Sequence, residues 1–259
     1  MNVEELKKIL ARYNLAPSKK RGQHFLINEA ANEKIIHFAN ITKNDTIIEI
    51  GAGLGMLTQE LAKKAGKVIA IEIDKGFAQI LKERFKDVDR VSIVCQDILD
   101  FTPPKNIPYS VVGNLPYNIS SAIIEKFLRN QKAKPKFLLI MVQKEFALRM
   151  TATVPHMNRL ALLTQYYGSP AIVAQFGAHL FWPQPKVTSS LALITLKKHS
   201  ALLKKKEDEM WDIIQRAFNA PRKMLKNTVP SSIKCNLQKK RPSELSIQDW
   251  ITLSNHSTS

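Results

Sequence analysis

The residues with the clearest chemical meaning close an apolar run: Thr46-Ile-Ile-Glu-Ile-Gly-Ala-Gly-Leu-Gly-Met-Leu-Thr58. Glycine at 51, 53 and 55 lets the backbone approach a ligand closely, and a helix starting just beyond presents free N–H groups. Alone, such a loop is equally a tight strand-to-helix turn; its surroundings narrow the choice. Met56 stands where the dinucleotide fingerprint Gly-x-Gly-x-x-Gly has its third glycine, which argues against a nicotinamide cofactor and for another adenosyl ligand. In Val68-Ile-Ala-Ile-Glu-Ile-Asp74, Glu72 falls 21 positions after Gly51. There, at a strand's carboxyl end, a carboxylate accepts hydrogen bonds from two ribose hydroxyls, with Asp74 as the nearby competitor. A third apolar run is followed by Gln96-Asp97, where an acid accepts from an adenine amino group. Gly51, Gly53, Glu72 and Asp97 thus converge on one nucleoside.

This order of loop and acids resembles the class I S-adenosylmethionine-dependent methyltransferases. A sulfonium donor needs no catalytic metal, and the protein's task becomes orientation. The acceptor side is written in Val111-Val-Gly-Asn-Leu-Pro-Tyr-Asn118. The lone pair of an exocyclic amine is delocalised into a purine ring. Two acceptors on its hydrogens rotate that pair toward the methyl group; the assignment is to the Asn114 side chain and the Leu115 carbonyl. Tyr117 then stacks on a splayed-out base, and Pro116, which has no N–H, fixes the turn. By itself the tetrapeptide is an ordinary Asn-x-Pro strand exit; behind three nucleoside-binding strand ends it is more.

The elements that must position these residues alternate as in a parallel sheet. Strands are expected at Thr46–Ile50, Lys67–Ile73, Val91–Cys95, Tyr109–Gly113 and Lys136–Val142, continuous Ile/Val runs suited to burial on both faces. Helical stripes lie between them: Ile27, Ala31, Ile35 and Phe38; Leu57, Leu61 and Ala65; Ile123, Ile124, Phe127 and Leu128, with Ser120 or Ser121 as N-cap. A short helix is expected over Val3–Tyr13. Beyond Thr164, Ala171–Phe176 and Ser190–Leu196 read as an antiparallel pair closing the sheet edge, and Lys197–Glu209 reads as a linker. The remainder is helical in pattern, with Met210, Ile213, Ile214 and Ala217 on one face, a break at Pro221 and a last segment around Ser243–Leu253. The expectation is an α/β, Rossmann-like mostly parallel sheet with an antiparallel edge over 1–198, whose first 26 residues form a basic segment, plus a small all-helical RNA-binding domain over 199–259.

Six motifs make the resemblance specific. Gln23-His-Phe-Leu26, Glu49-Ile-Gly-Ala-Gly-Leu-Gly55, Asn114-Leu-Pro-Tyr117, Gln143-Lys-Glu145, Phe181-x-Pro-x-Pro-Lys-Val187 and Phe218-Asn-x-x-Arg-Lys223 recur, in this order, in the rRNA adenine dimethyltransferases. They span nearly the whole chain, and the match is closest to the KsgA type, which acts on the small subunit. The resemblance implies transfer of methyl groups from S-adenosylmethionine, with S-adenosylhomocysteine as product, to the 6-amino groups of two adjacent adenosines in the 3′-terminal hairpin of 16S rRNA. It places the donor site on His24, Leu26, Gly51, Glu72, Asp97 and Asn114. His24, where many relatives have Asn, is either a donor contact or a structural histidine. Phe181 matches an aromatic expected near the target base, or else a buried residue under the Pro-rich loop. Arg222, Lys223 and Lys226 match a basic helix start and read as phosphate contacts.

Composition agrees. Thirty-nine Lys+Arg against 22 Asp+Glu leave +17, distributed as +4 over residues 1–22, +5 over 23–185 and +8 over 186–259. That surplus points to a polyanionic partner rather than to scattered solvated faces. No apolar run approaches the length of a spanning helix, the N-terminal residues lack a signal peptide's apolar core, and a cytoplasmic protein without membrane partner is expected. Cys95 and Cys235 are too isolated for a zinc knuckle or disulfide framework, the six histidines show no ligand spacing, and nucleophile-elbow and P-loop patterns are absent, so no metal is expected. The partner is 16S rRNA within a 30S subunit or precursor, and a monomer is the default. Leu115 and the 218–223 motif set the chain apart from the 23S rRNA resistance-type cousins. Glu72, Asp97 and the intact 114–117 motif argue against a non-catalytic nucleic-acid-binding relative.

Overall fold

The computed structural model describes residues 2–18, 22–131, 133–198, 202–229 and 237–256. Cys235, His199 and the Lys19-Lys-Arg21 run lie outside them. The chain forms two compact units, Met1–Ala147 with Ala171–Leu196, and Leu148–Pro170 with Lys197–Ser259.

The first unit opens with α1 (Val3–Arg12), held by a reciprocal Asn2/Glu5 capping box and buried through Leu6 and Leu10. Then come β1 (Phe25–Leu26), α2 (Glu29–Ala39, capped by the Asn28 side chain), β2 (Thr46–Ile50), α3 (Met56–Lys64), β3 (Lys67–Glu72), α4 (Lys75–Arg84), β4 (Val91–Cys95) and β5 (Tyr109–Asn114). The chain continues through α5 (Ser120–Glu125), extended by a π turn over Lys126–Asn130, to β6 (Phe137–Gln143) and α6 (Lys144–Met150). After α7 (Arg159–Tyr167) follow β7 (Gly168–Phe176), β8 (Phe181–Trp182) and β9 (Ser189–Leu196). The main sheet has the order β4-β3-β2-β5-β6-β9-β7, parallel through its first five strands, with β9 antiparallel to β6. Every residue of β2 is buried, as continuous apolar strands between helical layers require. The strand order reverses between β2 and β5, the switch point where open α/β sheets bind ligands beyond the carboxyl ends of their strands.

In the second unit, α7 is capped by Asn158, and α8 (Lys204–Asn219) and α9 (Ile247–His256) complete the helical elements. Met210, Trp211, Ile213, Ile214 and Ala217 of α8 are buried, as are Trp250 and Leu253 of α9. The Tyr167 ring stacks on Trp211 with centroids 6.3 Å apart, and the hydroxyls of Tyr166 and Tyr167 both donate to the buried carboxylate of Glu207.

Three local expectations change. The linker is shorter than Lys197–Glu209, because Glu207 and Met210 already belong to the buried face of α8, which starts at Lys204. Neither Ser120 nor Ser121 caps α5: Ile119 stands at the N-cap, and the Ser120 hydroxyl, one residue inside, donates to the Pro116 carbonyl at 2.9 Å. Ile27 lies before α2, its N–H donating to Leu180 O at 3.0 Å. Compactness also groups Leu148–Pro170 with the C-terminal helices, whereas the linear reading cuts the chain once, after 198.

Candidate active site

The loop from β2 to α3 is held in a conformation that only glycine adopts without strain, with φ of +71° at Gly51, +55° at Gly53 and +80° at Gly55. At Gly55 space is limiting too, since a Cβ there would stand 2.6 Å from the Phe85 ring. Glu72, 5% exposed at the end of β3, fastens the loop: its Oε2 accepts from Gly53 N–H at 2.8 Å and its Oε1 from Asp74 N–H at 2.9 Å. Burial pushes the Glu72 carboxyl up, against the pull of these two amides. Each oxygen keeps accepting capacity for a ribose hydroxyl. Asp74, the alternative, is committed as N-cap of α4, its Oδ1 accepting from Gly76 N–H at 2.9 Å and Phe77 N–H at 3.3 Å. Asp97, beyond β4, accepts from Leu99 N–H through Oδ1 at 2.8 Å.

A cavity of about 700 Å³ lies along this edge, and His24, Leu26, Gly51, Gly53, Glu72, Asp97 and Asn114 all line it. Its size suits a nucleoside with a short side chain. At its acceptor end the Asn114 Nδ2 donates to the His24 carbonyl at 3.0 Å, which commits the donor end of the amide and leaves Oδ1 as the accepting end. The Leu115 N–H donates to Met141 O at 3.0 Å with its side chain buried, so that residue can face the site only through its carbonyl. The Tyr117 hydroxyl pairs with Ser189 Oγ at 3.3 Å, and its ring stacks against His24 with centroids 6.1 Å apart. His24 Nδ1 lies 2.6 Å from Pro183 O. One histidine therefore ties the acceptor motif to the Pro-rich loop.

Phe181 corrects one expectation. It is 3% exposed, sits in the core cluster of Leu26, Leu139 and Met141, and pairs with Leu26 in the antiparallel β1–β8 ribbon, so its ring packs instead of lining the cavity. Arg222, Lys223 and Lys226 are exposed in the second unit, on the segment after α8. Glu49, the residue that opens the glycine motif, joins the site although its local sequence assigns it no role there. It lines the cavity, is 2% exposed, and its Oε2 has no hydrogen-bond partner among the described residues. Burial, foremost, and the nearby Glu72 push its carboxyl up to about 8, with Thr58 pulling the other way. Its signal was visible: an acid inside an otherwise apolar buried strand.

A mostly parallel sheet with a positive-φ glycine loop after its central strand and acids on the next two strand ends defines a class I methyltransferase. The model of the family Ribosomal RNA adenine dimethylase matches residues 15–257. Ribosomal RNA small subunit methyltransferase A of Dehalococcoides mccartyi is 34% identical over 263 residues, covering 95% of this chain and 90% of that protein. Its counterpart in Clostridioides difficile is 35% identical over 271 residues, covering 96% and 93%. Among solved structures, a dimethyladenosine transferase from Plasmodium falciparum superposes with a TM-score of 0.78 at 27% identity, over 88% of this chain and 95% of the other. The 23S rRNA methyltransferase ErmE shares the fold, with a TM-score of 0.74 at 24% identity over 90% and 98%. The chain belongs to the ribosomal RNA adenine dimethylase family. It is an rRNA methyltransferase whose methyl donor is S-adenosylmethionine.

Proposed function

We propose that this chain dimethylates the 6-amino groups of two adjacent adenosines in the 3′-terminal hairpin of 16S rRNA, acting as a cytoplasmic monomer on a 30S subunit or its precursor. The observation that carries the residue assignment is the Asn114 amide, pinned through Nδ2 to His24 O beside the glycine loop and Glu72. Bound S-adenosylmethionine supplies an electrophilic methyl group on sulfonium. Glu72 would hold its ribose hydroxyls and Asp97 its adenine amino group, with the Gly51–Gly53 backbone leaving room for its close approach. Asn114 Oδ1 and the Leu115 carbonyl accept the two amino hydrogens of the target adenine, turning the nitrogen lone pair toward the methyl group. Tyr117, braced by His24 and Ser189, stacks on the extruded base. Arg222, Lys223 and Lys226 hold phosphates.

The test is transfer of tritiated methyl groups to purified unmethylated 30S subunits and, in parallel, to 50S precursors, with nucleoside analysis of the product. Dimethyladenosine confined to the 3′ end of 16S rRNA is expected. Label only in 23S rRNA assigns the chain to the resistance-type cousins, and tight RNA binding without label makes it non-catalytic.

A further inference from the structure

The glycine loop is gripped on two sides, and only one grip comes from a residue facing the donor cavity. Glu72 holds the Gly53 N–H from within. From the other side Arg84, in the last turn of α4, donates from Nη1 to the Leu54 carbonyl at 2.6 Å and from Nη2 to Gln59 Oε1 on α3. Consecutive loop residues, Gly53 through its amide and Leu54 through its carbonyl, are therefore pinned in opposite senses. The same turn of α4 presses Phe85 and Leu81 against Gly55, where added carbon would stand 2.6 Å and 2.8 Å from them. The circuit closes through Glu72, because its second oxygen holds the Asp74 N–H and the Asp74 carboxylate caps α4. Glu72, the loop, Arg84, α4 and Asp74 form one ring of hydrogen bonds and helix.

A loop with three positive-φ glycines has more conformations to lose on binding than any other composition, so its affinity for a ligand depends on restraints imposed before the ligand arrives. A guanidinium suits this restraint because it is permanently charged and its fork reaches two acceptors at once; an ammonium is a single point.

We propose that Arg84 is a positioning residue for the methyl donor: through the Leu54 carbonyl and Gln59 it fixes the Gly53–Gly55 loop in its donor-binding conformation and so sets donor affinity without touching the donor. The inference rests on the reading of the cavity as the donor site. It is tested by calorimetric titration with S-adenosylhomocysteine, together with steady-state methyl transfer to unmethylated 30S subunits, for Arg84→Met, Arg84→Lys and Glu72→Ala. Arg84→Met is expected to weaken S-adenosylhomocysteine binding and raise the donor KM by about tenfold, the scale of one charge-assisted hydrogen bond, with kcat at saturating donor and the RNA KM within about twofold. Arg84→Lys, keeping one of the two bonds, should recover part of the loss. Hydrogen exchange at the Gly53–Gly55 amides should quicken in Arg84→Met while the rest of α4 and β3 stays protected. The proposal is overturned if Arg84→Met binds S-adenosylhomocysteine within twofold of wild type while Glu72→Ala does not, or if kcat and protection of the whole unit fall while both KM values rise together. Normal binding by Glu72→Ala would instead overturn the reading of the cavity itself.

Discussion

Two buried carboxylates stand side by side beneath the donor cavity, and their chemistry differs from that of surface acids. Glu49 titrates near 8, far above an unfolded glutamate, because its charged form is desolvated and faces Glu72. A carboxyl raised on folding binds its proton more tightly in the native state, so its stabilising effect is complete below the unfolded value near 4.5 and is lost as pH rises toward 8. Glu49→Gln should therefore melt progressively higher than wild type between about pH 5 and 8, by at least about 3 °C at the upper end. A melting difference that stays flat with pH would show that Glu49 is already charged in the folded protein over that range, its proton affinity unraised. On the acceptor side, Asn114→Ala should abolish methyl transfer and leave S-adenosylhomocysteine affinity within a few-fold, read by the same transfer assay and calorimetry. Persisting turnover would remove Asn114 as acceptor. Asn114 was legible from its motif. Its anchoring to the His24 carbonyl was not, because the two are 90 positions apart.

Each secondary element earns its place by what it holds. β2 and β5 flank the switch point, Glu49 pairing in register with Val112 and Ile50 with Gly113, so that the glycine loop and the Asn114 turn emerge side by side. The strands of the main sheet were readable to within a residue or two at their ends, except β7, which begins at Gly168, because continuous β-branched runs have few alternatives; the two-residue β1 and β8 carry too short a pattern to be read. The N-cap of α5 differs from the expectation because the Ser120 hydroxyl satisfies the Pro116 carbonyl four residues back, a local bond to the Leu-Pro-Tyr turn that competes with capping. Gly55 marks where α3 begins and α4 presses in. Gly55→Ala imposes a left-handed conformation on a residue with a side chain and a 2.6 Å contact with Phe85. It should cost at least about 2 kcal/mol of stability in urea unfolding and weaken donor binding. A fully stable variant would mean that α4 yields easily.

Across the whole molecule the +17 charge sets the encounter with RNA. Arg222, Lys223 and Lys226 are exposed, and backbone bonds from Leu225 N–H to Lys240 O and from Lys226 N–H to Gln238 O bring a second basic segment, Lys239-Lys-Arg241, alongside them. Arg222→Ala combined with Lys223→Ala should weaken rRNA binding at every salt concentration and lower the log–log salt slope by about 1.5, since each neutralised phosphate contributes roughly 0.7–0.9. An unchanged slope, measured by filter binding from low to high salt, would move the RNA surface elsewhere. The basic character of this region was plain in the sequence; the pairing of its two segments depended on how the chain returns after α8.

By itself the sequence determined the alternation of strands and helices, the glycine loop, the acids at the ends of β3 and β4, and the Asn-Leu-Pro-Tyr turn. All of these are local patterns, imposed by backbone sterics and by the period of burial within a few residues. Tertiary structure decided that the buried Glu72 carboxylate fastens the glycine loop, accepting from the Gly53 N–H 19 positions away. It also decided that Phe181 packs in the core, that Glu49 carries a raised proton affinity, and that His24 and Arg84 brace the two ends of the site. Those outcomes rest on contacts between distant positions, 159 apart for His24 and Pro183 and 30 apart for Arg84 and Leu54. Burial and desolvation at such contacts belong to the packed chain and have no signature in any single stretch of it.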